Sequence, residues 1–369
     1  MIDVKDFGVV GDGIADDTLA IQSAVDMAKS GLKASQPFGG SMQGGQPAVY
    51  FPSGKYRITA PIAFNGFACV VGEGSVVIQD SPGMDVFTFI PASPTALSGC
   101  YRNQVCGMNF CGGSRQLVFS NGNVDLTMLS VKDCTFQAWS DVAVFAQGTT
   151  GDLHMSASLI LDHCIWDGGH GLLTRCDYTE VRNSVVLFRG ATIADGTKWA
   201  RSLYPNGMLR ITGSVMTPRP PQIDGRNAKC YWVDNAGSFV TDTTRYGGEN
   251  GGLPIVRHIS GPNLVNPWRG QLVSIQDCQA NCGKDADPDA GIVTLDGLPQ
   301  CIQISGCNGL VSNSIPVVRV APGYDLQAAV NSITATAAPS AGMYSVTIKG
   351  NQFYTPLPIP SPLTPFVKG

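Results

Sequence analysis

The residues with most chemistry to offer crowd into positions 224–258: Asp224, Arg226, Asp234, Asn235, Asp242, Arg245, Tyr246, Glu249, Asn250, Arg257 and His258. Within that region, Asp242 to Gly252 is a polar stretch in which Gly247-Gly248 and Gly251-Gly252 flank Glu249. Glycine pairs let the backbone turn sharply and leave a carboxylate open to a bulky substrate. Two carboxyl groups in one place, one held protonated and one ionised, are what hydrolysis of a glycosidic bond needs. On that chemistry Glu249 is the expected general acid, Asp242 the base or nucleophile, and Asp234 the substitute partner. Arg245, Arg257 or Tyr246 would serve a competing chemistry, elimination from a uronic acid, which needs a base at the α-carbon and a cation against the carboxylate. Trp232 and Tyr246 offer faces on which sugar rings stack. The plainer alternative is a solvated loop in which Arg245 and Glu249 pair with each other.

Three other clusters are weaker. Asp167-Gly168-Gly169-His170-Gly171 places an acid and an imidazole in one turn, and both are candidates for binding substrate. Asp285-Ala286-Asp287-Pro288-Asp289 alternates carboxylates but has a proline inside it and lacks a bidentate glutamate, so a solvated turn is expected. Asp12, Asp16 and Asp17 lie where a turn feeds a helix N-terminus and read as backbone-capping groups. No metal and no cofactor is expected.

The elements that must position these residues follow from a short repeat. An apolar residue, two mostly polar or glycine positions, and then a small residue recur as Val131–Cys134, Leu161–Cys164, Val181–Ser184, Ile211–Ser214, Ile275–Cys278, Ile304–Cys307 and Ile348–Asn351, with an earlier copy at Val105–Met108. Cys134 and Cys164 are 30 positions apart, and Cys278 and Cys307 are 29 apart. An interval of that size holds one strand of the pattern with room for two more, and the alternation within each copy has a strand's period of two. These features predict an all-β, single-stranded right-handed parallel β-helix, one continuous domain. Its parts are a cap segment at 1–35 with a short helix from about Thr18 to Lys29, the β-helix over 36–323, and last coils with a Pro-rich tail over 324–369. Leu19, Ile21 and Val25 would form the apolar side of the capping helix, and Tyr324 to about Ser332 a second short helix. Stacking puts Cys134, Cys164, Cys278 and Cys307 in an inward column, which reads the cysteines as scaffold rather than disulfides or metal ligands. The longest departure from the pattern, Ser214 to Ile275, is the stretch that carries the best chemistry.

Composition agrees. Charged residues are 14% of the 369, while 44 glycines and 24 prolines supply many turns, a balance unlike that of a helical bundle. A net charge of −4 without a basic stripe excludes a nucleic-acid partner, and no apolar run is long enough for a membrane span. Met1 to Phe7 has charges and no apolar core, so no secretory signal is expected in this chain.

Residues 2–26, I-D-V-K-D-F-G-V-V-G-D-G-I-A-D-D-T-L-A-I-Q-S-A-V-D, with Ala48 to Ile62 and Val70 to Ser75, closely resemble the N-terminal signature of the pectate-lyase-like β-helix superfamily, which includes phage tailspikes and polysaccharide depolymerases. Gly169-His170-Gly171 is similar to an element of polygalacturonases, whose adjacent aspartate pair is missing here. The resemblance implies a polysaccharide partner, a homotrimer, and a location outside the cell or on a phage tail. It also implies an endo-glycosidase acting on a bacterial surface or other acidic glycan, in which Arg245 and His170 orient substrate. A polysaccharide lyase and a non-catalytic glycan-binding or structural β-helix are the alternatives.

Overall fold

The computed structural model describes residues 1–30, 47–64, 69–90, 103–120, 127–148, 153–189, 198–218, 231–247, 253–259, 271–281, 291–310, 316–326, 345–349 and 352–354. The chain forms two compact units, Met1–Glu180 and Val181–Gly369, each described by itself. Both are built as parallel β-helix, and the fold class is the right-handed parallel β-helix expected from the repeat. In each unit one sheet takes pairs of short strands joined by a sharp corner, and a second sheet takes one short strand per coil.

The corner explains the repeat. In the first unit Asp133 and His163 have positive φ (53° and 52°), and in the second Asn183, Gly213, Thr243, Asp277 and Gly306 do the same. The small residue after each corner points inward and is buried: Cys134 and Cys164 in the first unit, and Ser184, Ser214, Cys278 and Cys307 in the second. Its sulfur or oxygen bonds the carbonyl two residues back, at 3.2 Å for Cys134 to Lys132, 2.7 Å for Ser184 to Arg182 and 3.1 Å for Cys278 to Gln276. A non-glycine residue in the left-handed region costs on the order of 1 kcal/mol or more, and a hydrogen bond beside the bend offsets part of it. The cysteines at these corners are therefore scaffold.

Register follows the sequence repeat closely. Val105, Val131 and Leu161 stack in the first unit. In the second, Ile211, Thr241, Ile275, Ile304 and Ile348 form one row. Thr241 marks a coil that the sequence pattern missed. The segment Thr241-Asp242-Thr243-Thr244 is a full copy in which threonine replaces both the apolar residue and the small one, and Thr244 Oγ1 bonds the Asp242 carbonyl at 3.0 Å.

The core of the first unit is a ladder of rings. Phe64, Phe89 and Phe119 stack at 4.7 and 4.8 Å, and Phe110, Phe136 and Trp166 at 5.6 and 5.5 Å. The capping helix is Thr18–Ser30, with Ile21, Ala24, Val25 and Ala28 buried. Leu19, expected on that face, is 82% exposed. Gln22 joins the helix to the sheet: its side-chain amide donates to the Ala63 carbonyl and accepts from the Ala63 N–H, at 3.1 and 2.8 Å. This satisfies backbone groups of a terminal strand that would otherwise stand open. The acidic cluster acts on backbone as expected. Asp17 accepts the N–H groups of Val10 and Gly11, and Asp12 those of Ile14 and Ala15, a set of bonds that lowers the Asp12 pKa. The proposed second helix and the Pro-rich tail lie almost wholly outside the described residues.

Candidate active site

The second sheet of the second unit stacks the strands Lys198–Ser202, Tyr231–Asn235, Val256–His258, Val293–Leu295 and Val318–Val320. Ala200, Val233, Val256, Val293 and Val318 form one row, and Arg201, Asp234, Arg257, Thr294 and Arg319 form the next. The alanine and valine row is buried; in the charged row Arg201 is exposed and Arg257 and Arg319 are partly exposed, while Asp234 and Thr294 are themselves buried. Four of the five strands carry a β-branched valine in the buried row, with Ala200 in the first.

Asp234 is the centre of this row. Only 8% of it is exposed, and its Oδ1 is buried without a hydrogen-bond partner among the described residues. Burial raises its pKa, against the opposing pull of Lys198, Arg257 and Arg201, while the charge of Asp296 adds to the rise. Burial wins here although three cations surround the group, and the carboxyl holds its proton to a higher pH than an ordinary aspartate. Asp296 follows the fourth strand, its N–H donating to the His258 carbonyl at 2.8 Å, and its carboxylate accepts a close hydrogen bond from Arg257 Nη2. The two side chains are about one-third exposed (33% and 31%), so this second carboxylate is within reach of solvent.

Lys198 is buried to 3% exposure, with its ammonium 5.0 Å from the centre of the Tyr231 ring. The Tyr231 hydroxyl donates to Thr294 Oγ1 at 3.1 Å, and the Gly291 N–H donates to the same oxygen at 3.0 Å. Three coils are thus tied together by buried groups. The assembly offers a proton-holding carboxyl, a second carboxylate and a group of cations. It can donate a proton to a leaving oxygen, and it can bind an anion.

The structure separates the residues that sequence reasoning grouped. Asp234 and Arg257 are neighbours in one row. Asp242 belongs to the other sheet, where Arg210 Nη2 bonds it at 3.0 Å and the Thr243 hydroxyl at 3.0 Å. It ends the strand Ser238–Asp242 rather than opening a loop. Tyr246 and Trp232 are corrections: both are completely buried and present no face to a sugar. Tyr246 follows Val186 and Met216 in an inward row and bonds Thr241 Oγ1 at 2.8 Å, and Trp232 packs on Phe188 and Tyr246. Arg245 is exposed on the outer side of its short strand. Glu249, Asn250, Asp224, Arg226, Trp268 and the 285–289 cluster lie outside the described residues.

Asp167 and His170 belong to the first unit. Asp167 is half-buried beside Gln137 in register. The His170 carbonyl accepts from Trp139 Nε1 at 2.7 Å, and the His170 ring is 3.1 Å from the Leu172 carbonyl, an arrangement that holds a turn. Of the other tryptophans, Trp199 is core. Sequence reasoning missed Lys198, Arg201, Tyr231, Thr294, Asp296 and Arg319. A signal was present: Lys198-Trp-Ala-Arg-Ser202 and Tyr231-Trp-Val-Asp-Asn235 are two copies of one pattern that put Arg201 and Asp234 in equivalent places. Among the described residues no group of three or more His, Cys, Asp or Glu is placed to hold a metal, and no helix is long and apolar enough to cross a membrane.

Residues 1–164 match the family model for rhamnogalacturonase A/epimerase, pectate-lyase-like. This stretch is pectate-lyase-like. The match ends before the second unit begins, so the pectate-lyase-like part and the charged row are different parts of the chain. Among curated relatives, a "Probable glucan endo-1,3-beta-glucosidase" of Arthroderma benhamiae is 37% identical over 131 residues, 34% of this chain and 13% of that protein. The mannuronan C5-epimerase AlgE4 of Azotobacter vinelandii is 30% identical over 124 residues, 34% of this chain and 20% of that protein. The matched segments thus span a fifth or less of these relatives' lengths. Similar solved structures include PfbA, a surface adhesin of Streptococcus pneumoniae, with 14% identity over 96% of this chain and 90% of that one and a TM-score of 0.49. The AlgE4 A-module has 15% identity over 98% of each chain and a TM-score of 0.47. The fold rests on the strand pairing itself, and these scores add nothing to it.

Proposed function

We propose that the protein cleaves an acidic polysaccharide by hydrolysis, with Asp234 giving its proton to the glycosidic oxygen and Asp296 as the second carboxylate. One observation carries this reading: a carboxyl group with burial-raised proton affinity and a buried oxygen that lacks a hydrogen-bond partner among the described residues stands in register between Arg201 and Arg257. A general acid for glycoside cleavage must be protonated at working pH, and burial is the usual means of keeping it so. Asp296, gripped by Arg257, keeps a fixed position from which to act as base or nucleophile. The pectate-lyase-like N-terminal match and the carbohydrate-active names of the relatives support the substrate class. A homotrimer and a place outside the cell or on a virion belong to the same proposal, on the strength of the sequence resemblance alone.

The cations around Asp234 favour a second reading, β-elimination or epimerisation on a uronate, in which Arg257 and Arg201 neutralise the sugar carboxylate. Product analysis by mass spectrometry on a panel of capsular and lipopolysaccharide glycans separates the two. Hydrolysis adds one water for each bond broken, divided between the two new ends; elimination adds none and leaves an unsaturated sugar that absorbs in the near ultraviolet. The variants to compare are Asp234→Asn, Asp296→Asn, Asp242→Asn and Glu249→Gln. Full activity in Asp234→Asn overturns the assignment of the proton donor.

A further inference from the structure

We infer that Cys278 and Cys307, besides serving as scaffold, form a reversible disulfide between consecutive coils of the second unit, closed by a peroxide and opened by a thiol. This goes beyond the polysaccharide reading and does not depend on it. The two residues stand directly after the corners at Asp277 and Gly306. Gln276 pairs with Ser305 and Gln279 with Asn308, so the register sets Cys278 opposite Cys307. The Asn308 N–H donates to the Cys278 carbonyl at 3.0 Å, which holds the two strands together at that point. Neighbouring strands lie about 4.8 Å apart, inside the range of roughly 4.4–6.8 Å between Cα atoms that a disulfide spans. Both side chains are buried thiols in one inward column.

A second stacked pair shows what is particular here. Cys134 and Cys164 also stand opposite each other, in the first unit. Burial pushes the Cys134 thiol up to about 12 and raises that of Cys164 well above its usual value, so neither offers a thiolate. Cys278 instead donates a hydrogen bond to the Cys307 sulfur. That bond raises the Cys278 pKa and lowers that of Cys307, against burial and the charge of Asp277. The thiolate is the form of sulfur that reacts. The corners differ as well. Asp133 and His163 hold side chains in left-handed backbone, whereas the exposed corner beside Cys307 is Gly306, whose backbone shifts more freely. In the reaction Cys307 attacks one peroxide oxygen and the O–O bond breaks, leaving a sulfenic acid and hydroxide. The Cys278 sulfur then attacks the Cys307 sulfur and the S–O bond breaks. The two thiol protons leave in two waters. The closed ring runs from Cys278 to Cys307 and includes the strand Val293–Leu295 and Asp296, so oxidation restrains the coil that carries Thr294 and Asp296.

The test is treatment of the intact, folded chain with hydrogen peroxide, followed by peptide mapping without reduction, which also separates oxygen added at methionine. The expected product is a cross-linked peptide pair, lighter by two hydrogen atoms, that joins Cys278 to Cys307 and is released by dithiothreitol. The link raises Tm by about 5 °C or more, because it restricts the unfolded chain. Cys278→Ser and Cys307→Ser each abolish the link and the rise in Tm. Both variants keep the coil, since Ser184 and Ser214 occupy equivalent buried places. Under the same treatment Cys134 and Cys164 stay reduced. The disulfide is overturned if peroxide leaves Cys278 and Cys307 unchanged, or adds oxygen to Cys307 without a link. A link that forms only once the chain is unfolded overturns it too, as does equal linkage of Cys134 to Cys164.

Discussion

The two units carry the same sheet with opposite outer rows. In Met1–Glu180 the outward row is Ala63, Thr88, Val118, Phe145 and Leu173; in Val181–Gly369 it is Arg201, Asp234, Arg257, Thr294 and Arg319. The buried rows behind them differ too. Phe89, Phe119, Ala146 and Thr174 line up in the first, while Ser202, Asn235, His258 and Leu295 do so in the second. His258 and Gln271 share a hydrogen bond at 3.1 Å, and Gln271 donates to the carbonyls of Pro205 and Ala236. One row is built from rings and aliphatics that bury area, the other from groups that must be satisfied one by one. Aromatic stacking suits a stretch whose task is to hold shape. A polar interior behind a charged face suits one whose outer residues must be set in fixed directions, since each hydrogen bond inside restricts the strand that displays them.

The sharpest way to break the comparison is at Asp234. Asp234→Asn should lower kcat by about 100-fold or more, the usual scale for a lost general acid, and Asp242→Asn should not; rates on whichever glycan the panel identifies decide it. In the first unit the largest effect is on stability instead. Phe119→Ala should cost about 3–5 kcal/mol, read from denaturant unfolding, with little change in glycan affinity.

A smaller effect has the opposite sign and belongs to the charged row. A carboxyl whose folded pKa lies above its ordinary 3.8 binds more protons folded than unfolded, so folding stability falls as pH climbs from 3.8 through the raised value and is flat above it. Asp234→Asn removes that penalty. It should raise Tm at neutral pH, by about 2–4 °C for each kcal/mol relieved, while destroying activity. Calorimetry across pH checks both the sign and the window. The smallest effect lies in the corners: His163→Gly should stabilise by up to about 1 kcal/mol by relieving a left-handed backbone, less whatever the 2.9 Å contact of His163 with Asp162 contributes.

Much of the scaffold could be read from the sequence, because a coil must place a small residue after each corner and repeats that demand about every 30 positions. The copy at Thr241–Thr244 escaped because threonine stands in both key places: the Thr241 hydroxyl is buried against that of Tyr246, and the Thr244 hydroxyl supplies the bond that cysteine or serine makes elsewhere. The charged row was harder. Arg201 and Asp234 are 33 positions apart but Asp234 and Arg257 only 23, since the segments linking these strands vary in length. Register, not spacing, brings them together. Trp232 and Tyr246 were misjudged because an aromatic next to a charge reads as surface until the strand's two faces are told apart.

The bond from each corner's small side chain to the carbonyl two residues back closes on itself within three residues. Such a coil carries its own fastening and asks only that its neighbours offer a flat ledge on either side. It can therefore be duplicated, deleted or traded as a cassette without retuning the rest. A duplication within Val181–Gly369 would add one more position to each row of the stack while leaving the corners on either side unchanged.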